Sequence, residues 1–279
     1  MTNQIRGTSR FGLRMNAVGI AALLIMLFWA IMALIGPMLA PHPPGDIIDF
    51  DYFGPISAEL WLGSDYLGRD IFSRILLGAR YTVGISLGAV CIACFSGVVL
   101  GMTAAAIGGW FDSALSRFLD ALNSIPSKLF GLVVVAAVGS SIPVLVILLA
   151  VIYTPGAYRF ARALSVNANA MDYIAVARAR GERTLYIIVQ EILPNITGPV
   201  LADLGLRFVF IVLLLSGLSF LGLGVQPPEA DWGSLVRENL GGLPFAAPAV
   251  IAPCFAIASL TISVNLLIDN LPVRIRDRS

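Results

Sequence analysis

The chain has 279 residues, of which 58% are hydrophobic and only 13% are charged, and its mean hydropathy is +0.87. This composition excludes a soluble globular domain and indicates an integral membrane protein. The formal net charge is only +1, and no basic surface suggests a nucleic-acid partner. Function therefore has to be sought in the way the few charges are distributed.

Charge-free segments predict the membrane spans. Charged residues are absent from 81–111, 129–158 and 239–268, and each segment is long enough for a bilayer core of about 30 Å, which needs about 20 residues. Helices satisfy their own backbone polar groups in lipid, so we predict an all-α membrane protein. The six predicted helices are about 17–40, 81–108, 115–138, 142–163, 198–222 and 246–270. The first apolar run exceeds the apolar core of a signal peptide and is predicted to be retained.

The basic residues predict the orientation of these spans, because arginine and lysine are retained on the cytoplasmic side. They concentrate in both tails and in the connection after the fourth span: Arg6, Arg10, Arg14, Arg159, Arg162, Arg178, Arg180, Arg183, Arg274, Arg276 and Arg278. Acidic residues dominate the segments at about 41–80 and 223–245. We therefore expect one transmembrane domain over 1–279, with a cytoplasmic tail at about 1–16, both termini in the cytoplasm and those two acidic segments outside.

The connection at about 165–195 is unusually polar and predicts two short helices. Asn169 and Asp172 resemble a helix N-cap, and Gly181 stands where a helix ends in a left-handed residue, which predicts a helix over 170–180. A second amphipathic helix, limited by Pro194, is indicated by Leu185, Ile188, Val189, Ile192 and Leu193. From spacing alone, such a pair of helices suits either a membrane surface or a protein partner.

The same connection resembles the EAA loop of bacterial ABC importer permeases. The small-residue triplet, the glycine and the hydrophobic-Leu-Pro end of that pattern stand here as Ala175-Val176-Ala177, Gly181 and Ile192-Leu193-Pro194. Ala175 replaces the glutamate of the family. The resemblance implies a coupling helix that fits a cleft in a separate ATPase subunit. The docking residues it implies are Tyr173, Ala175, Ala177, Arg178, Arg180 and Gly181.

Two further segments resemble the dipeptide, oligopeptide and nickel branch of that family: LGSDYLGRDIFSR at 62–74 and LSGLSFLGLGVQPPEADW at 215–232. The first is expected to form an elbow fixed by ion pairs among Asp65, Arg69, Asp70 and Arg74. The second implies a periplasmic gate or scoop that contacts a substrate-binding protein. There, Gly222 and Gly224 would end the fifth span, and Trp232 suits the membrane interface.

The resemblance implies a permease subunit of a type I ABC importer in a bacterial inner membrane, forming half of a pore. Its expected partners are a homologous second permease, two ATP-binding subunits, an extracytoplasmic binding protein and membrane lipid. The phosphate-binding pattern GxxxxGK[ST] is absent and the only lysine is Lys128, so ATP and Mg²⁺ are expected in the partner subunits and no catalytic residue in this chain. Peptides are the expected substrates; nickel chelates and opine-like solutes are the alternatives.

A few other polar residues could form an intramembrane charge pair, a metal site or a redox site. Asp203 and Arg207 stand one helical turn apart in the fifth span, where they could line the pathway or simply neutralise each other; we favour pairing. His42 is isolated and makes a poor nickel site. The CxxC spacing of Cys91 and Cys94 has no flanking ligand, so we predict neither a metal site nor a disulfide.

Two other protein classes remain as alternatives. A secondary transporter would carry an internal repeat with broken helices and functional charges near the midplane, and the halves of this sequence show no convincing repeat. An intramembrane hydrolase would need a base beside Ser216, Ser219 or Ser127. His42 is predicted to lie outside the membrane, and Lys128 is adjacent in sequence to Ser127 and would not face it on a helix.

Overall fold

The computed structural model describes residues 16–245 and 247–270, and regular structure within these ranges is helical, as predicted. The described helices are α1 (Ala17–Leu39), α2 (Ile71–Ile107), α3 (Gly109–Asn123), α4 (Ser127–Val138), α5 (Ile142–Asn169), α6 (Asp172–Ala179), α7 (Thr184–Phe220), α8 (Trp232–Glu238) and α9 (Pro248–Asn270). A 3-10 turn, Leu240–Phe245, precedes α9. The arginines predicted to orient the two tails lie outside the described residues.

Five described helices are long and apolar enough to cross a bilayer: α1, α2, α5, α7 and α9. The predicted third span is not one continuous helix, because α3 and α4 are bent by 81° around residues 124–126. Pro126 causes this break, since it lacks a backbone N–H and disfavours helical geometry in the residue before it. The prediction of a single helix over 115–138 is therefore wrong.

The bent pair nevertheless forms a crossing, as the direction of its neighbours shows. α2 and α5 run side by side in the same direction, and their contacts advance together along both helices, from Gly88–Val146 through Gly97–Ala157 to Gly101–Arg162. Two parallel neighbours require the intervening chain to return to the end where α2 began. Only α3 and α4 lie between them, so this bent pair is the sixth candidate span of the described residues.

Two helices begin well before their predicted starts. α2 has 37 residues and is about 55 Å long, which exceeds a bilayer core of about 30 Å. Its first ten residues carry Arg74 and Arg80, and Leu76 among them packs closely against Gly36 of α1. α7 begins at Thr184 and continues through Pro194, so the predicted separate amphipathic helix is wrong. A wide π-type turn at Ile187–Ile192 immediately precedes Pro194 and changes the hydrogen-bond register where the proline N–H is missing.

Small residues set the closest helix packing. A Cβ atom added to Gly97 would lie 2.5 Å from the Cβ of Ala157 and 2.8 Å from the backbone nitrogen of Tyr158. In a bilayer, helix association depends on such close approach, because apolar side chains gain little by leaving lipid for a helix surface.

The bundle has two distinct ends. We call them the loop end, made of residues 40–70 and 221–245, and the α6 end, made of α3 and residues 170–183.

Candidate functional site

The α6 end is built on one short helix and a glycine turn. Gly181 has φ of +80°, so the prediction of a left-handed residue there is confirmed. The predicted N-cap is wrong, because Met171 occupies the cap position of α6. Asn169 instead ends α5, and its amide nitrogen donates to the carbonyl of Ala105 on α2 at 2.8 Å. This bond ties the end of α5 to α2 immediately before α6 begins.

The two faces of α6 have different surroundings. Ile174 and Ala177 are buried against Ile187, Ile192 and Ile196 at the start of α7. The other predicted docking residues are exposed: Tyr173, Ala175, Arg178, Arg180 and Gly181. Ala177 is therefore absent from the exposed surface of α6, because its side chain attaches α6 to the bundle. Helical periodicity decides the difference, since Ala177 follows Ile174 by three residues and shares its face.

The exposed face of α6 carries unpaired positive charge. Among the described residues, no carboxylate lies within 4.0 Å of Arg178, Arg180 or Arg183. Arg178 makes only a 3.3 Å bond to the side-chain oxygen of Asn169. Val176, two residues before Arg178, is 49% exposed. We call this surface the α6 patch: Tyr173, Ala175, Val176, Arg178, Arg180 and Gly181.

At the loop end, Asp70 caps the first turn of α2. Its carboxylate accepts from the backbone nitrogens of Phe72 and Ser73 at 3.1 and 3.2 Å and from the Ser73 hydroxyl at 2.5 Å. The Nδ1 atom of His42 lies 3.2 Å from the same carboxylate. His42 therefore joins the end of α1 to the start of α2. The described residues contain no group of three or more metal-ligating side chains.

A buried ion-pair network fixes the segment before α2. Asp65 accepts from Arg69 at 2.6 Å and from Arg74 at 2.7 Å, and Glu238 of α8 accepts from both arginines at 2.8 Å. The predicted pairing of the elbow charges is confirmed for Asp65, Arg69 and Arg74 and is wrong for Asp70, which caps α2 instead, while Glu238 is an additional partner. Burial lowers the pKa of Arg69, yet Asp65 and Glu238 outweigh it and hold that pKa above its usual value.

Asp231 and Trp232 anchor the predicted gate segment in the interior. Asp231 caps α8 and also accepts from the hydroxyl of Ser219 at 2.8 Å and from the backbone nitrogen of Val225 at 3.1 Å. Burial raises the pKa of Asp231, an effect that these hydrogen bonds oppose. Trp232 donates to the carbonyl of Ile75 at 3.0 Å, and its ring centroid lies 4.7 Å from that of Trp29.

Trp232 is fully buried, so its predicted position at a membrane interface is wrong. Its indole N–H finds a protein acceptor and its ring finds an aromatic partner, which together outweigh the interfacial preference of tryptophan. The Asp-Trp-Gly-Ser sequence carried a signal for the cap, because aspartate is a favoured N-cap residue. Gly222, with φ of +88°, follows the last residue of α7, as the prediction for the end of that span required.

The intramembrane charges are paired. Arg207 donates to Asp203 at 2.5 and 3.0 Å, and both side chains are 13% exposed. The pairing prediction is confirmed, whereas a role in lining the pathway stays a prediction. Beside the pair, a cavity of about 400 Å³ lies between α5, α7 and α9 and includes Asp203, Asn265 and Asp269 in its wall.

A second charge cluster at the α6 end was missed by the sequence reasoning. Arg162 of α5 makes a two-pronged contact with Asp112 of α3, and the hydroxyl of Tyr158 donates to Asp112 at 3.4 Å. This contact fixes α3 across the end of α5. Nothing in the sequence pairs these residues, which lie 50 positions apart.

A family model described as "Binding-protein-dependent transport system inner membrane component" matches residues 97–277, about two thirds of the chain. The chain belongs to this family. It is therefore a multi-pass inner-membrane permease component of a transport system with several subunits. Membership in a family of transport subunits also sets aside the hydrolase alternative.

Relatives named as transport permeases match nearly the whole chain. The glutathione transport system permease protein GsiD of Pectobacterium atrosepticum is 34% identical over 256 residues, covering 91% of this chain and 85% of that protein. The dipeptide transport system permease protein DppC of Alkalihalophilus pseudofirmus is 31% identical, with coverages of 93% and 85%. A putative peptide transport system permease of Brucella suis is 33% identical, with coverages of 91% and 84%.

Proposed function

We propose that this permease forms half of the pore of an ATP-driven importer and docks an ATPase subunit through the α6 patch. The observation that carries this proposal is the division of α6 into a buried face and an exposed face with three unpaired arginine neighbours. An exposed cationic surface beside a small residue, Ala175, suits a protein cleft bordered by carboxylates.

The buried face of α6 explains how docking could move the pore. Ile174 and Ala177 belong to one apolar cluster with Met102 of α2, Ala168 of α5 and Ile192 of α7. A displacement of α6 is therefore passed directly to three membrane-spanning helices, because packed side chains transmit rigid-body shifts. In our proposal, closure of two ATPase subunits draws the coupling elements of the two permeases together and opens the pore outward. After ATP hydrolysis, the pore closes to the outside and reopens toward the cytoplasm.

The proposed orientation places the α6 end in the cytoplasm and the loop end outside. The α6 end and the adjoining last turns of α5 are rich in arginine, with Arg117, Arg159, Arg162, Arg178, Arg180 and Arg183. The loop end is rich in carboxylates, with Asp46, Asp49, Asp51, Glu59, Asp65, Asp70, Glu229, Asp231 and Glu238. This asymmetry follows the positive-inside rule. Both termini would then be cytoplasmic. The gate at Gly222 and Gly224 would face an extracytoplasmic binding protein.

The partners completing the proposed complex are a homologous second permease, two ATP-binding subunits that hold ATP and Mg²⁺, the binding protein and membrane lipid. This chain contributes no catalytic residue. Short peptides are the proposed substrates, because the relatives above are named for glutathione, dipeptide and peptide transport. Nickel chelates and opine-like solutes are the alternative substrates.

The docking claim is tested with Ala175→Trp in a tagged chain purified from its native membrane. We expect the retained ATP-binding subunits to fall about tenfold or more, a loss of about 1.4 kcal/mol in the interface. Ala121→Trp is the matched control, because Ala121 is an exposed alanine on α3 at the same end but outside the α6 patch. Equal retention by both variants and the unmodified chain would contradict docking through α6.

A further inference from the structure

A polar cavity at the loop end is used by nothing described so far. Its volume is about 390 Å³, within the range of roughly 300–1,000 Å³ that holds small ligands. It lies between the segment before α2, the end of α7 and α8. Its wall includes Tyr66, Gly222, Gln226, Ser234, Arg237 and Glu238.

The cavity wall carries one surplus positive charge. Arg69 and Arg74 are matched by Asp65 and Glu238, two cations against two anions. Arg237 is exposed and has no carboxylate within 4.0 Å among the residues that the structure describes. Glu238 is the one member of this network in the cavity wall, and Arg69 and Arg74 neutralise it, which leaves Arg237 as the wall cation that no described carboxylate pairs.

The position of this guanidinium is shaped by Gly222. A Cβ atom at residue 222 would lie 2.7 Å from Nη1 and 3.0 Å from Nη2 of Arg237, so a larger residue there would force the guanidinium to move from this position. The nearby carbonyls do not compete for it. The amide nitrogen of Gln226 donates to the carbonyls of Gly222 and Gly224 at 3.2 and 2.8 Å. The N–H groups of Arg237 remain available to a ligand in the cavity.

We propose that this cavity is a carboxylate subsite in which Arg237 holds the free C-terminal carboxylate of a short peptide. The inference rests on the proposed function, since it deepens the claim that peptides are the substrates. A guanidinium presents a planar pair of N–H donors that matches the two oxygens of a carboxylate. A peptide α-carboxyl has a pKa of about 3.5 and is ionised at neutral pH. The subsite would hold the peptide at the entrance of the pore.

The test measures the protection of Arg237 from phenylglyoxal, which modifies arginine. The purified complex is treated with the reagent, and mass spectrometry gives the modification rate at each arginine, with and without saturating L-alanyl-L-alanine. We expect this dipeptide to slow modification of Arg237 by about fivefold or more, since an occupancy of four-fifths or more leaves at most one-fifth of the sites free. L-alanyl-L-alaninamide should give no protection. Arg80 is the internal control, because it is exposed on α2 and lies outside the cavity wall.

A second pair of variants tests the positioning by glycine. Gly222→Ala should weaken the protection although Arg237 is still present, because the added methyl group forces the guanidinium to move. Gly217→Ala, in the same helix region but with nothing within 4 Å of its added Cβ atom, should keep it. Equal protection of Arg237 in both variants would contradict the claim that Gly222 positions its guanidinium.

Three results would overturn the subsite. Unchanged Arg237 reactivity with the dipeptide is one, and equal protection by the amide is another. The third is protection of Arg237 that needs the binding protein but no peptide, because the carboxylate bound by Arg237 would then be a side chain of the binding protein. Each result leaves the proposed function standing if the complex retains its ATP-binding subunits. A chain purified without partners would instead sink the proposed function, whatever the reactivity of Arg237.

Discussion

Arg74 and Glu238 lie 164 residues apart in the chain, yet the Nη1 atom of Arg74 donates to the Oε2 atom of Glu238 at 2.8 Å. The same carboxylate oxygen accepts from Arg69, and Asp65 accepts from both arginines. This network joins the start of α2 to α8. The two loop-end segments that the sequence motifs mark separately are thus one structural unit, and motion of one should carry the other.

Glu238→Gln tests this unit. Arg69 and Arg74 are nearly buried, and removal of one of their two anions leaves a positive charge that solvent does not compensate. Breaking such a pair costs about 3–5 kcal/mol. We expect a clear fall in the melting temperature of the purified protein in detergent. Glu59→Gln, at an exposed site in the same end, should melt like the unmodified protein. Similar melting of both variants would refute the network's structural role.

Gly97→Ala tests the packing of α2 on α5. The added methyl group would lie 2.5 Å from the Cβ of Ala157, so the two helices must separate or bend. Overpacking of this kind costs about 1–3 kcal/mol. Gly84→Ala is the matched control on the same helix, because an added Cβ atom there meets nothing within 4 Å. Thermal unfolding should show destabilisation for Gly97→Ala alone; equal melting temperatures would argue against the close approach.

Gly181→Trp tests the coupling role of the α6 patch. We expect normal membrane insertion, with ATP hydrolysis no longer linked to transport, because a large side chain would obstruct the ATPase cleft. Backbone strain has to be separated from bulk, since Gly181 has φ of +80° and any side chain there costs about 1 kcal/mol.

Gly181→Ala provides that separation. It carries the same strain without the bulk, and it meets no neighbouring atom within 4 Å. The alanine variant should retain most of its coupling, measured as substrate transported per ATP hydrolysed in native membrane vesicles. If Gly181→Trp transported at the normal rate, the docking role would be withdrawn.

Exchange of the intramembrane pair distinguishes structure from pathway. Asp203→Asn should impair accumulation in the membrane, because Arg207 would be left without its partner in a low-dielectric setting. The double variant Asp203→Arg, Arg207→Asp restores a pair one turn apart and should restore accumulation. Immunoblotting and transport assays then separate the roles. Full transport by the double variant indicates pairing alone, whereas restored accumulation without transport indicates that the charges act on the pathway.

The sequence predicted the bounds of a helix correctly where the apolar run and the helix have the same length. α1 and α9 begin and end within two residues of their predicted bounds. α2 and α7 were predicted too short, because hydropathy reports only the part in lipid. Their extra turns contain the charged residues Arg74, Arg80 and Glu191, which interrupt the apolar runs. Pro126 signals a break in the third span, but the 81° bend depends on where α4 packs.

The site was predictable where partners lie close in sequence. The i,i+4 pairs Asp65–Arg69 and Asp203–Arg207 follow from helical or turn spacing. Glu238 was unforeseeable, because its partners are brought to it only by the tertiary fold. Ala175 and Ala177 look equivalent in the motif, yet their two-residue separation places them on different faces of α6.

The most direct test of the account is purification of the tagged chain from its native membrane in mild detergent, with mass spectrometry of every retained protein. We predict a second permease and ATP-binding subunits in the purified complex, and transport that stops when ATP is depleted. A chain that purifies alone, with transport insensitive to ATP depletion, would contradict the proposed role of the α6 patch and favour a self-sufficient secondary transporter.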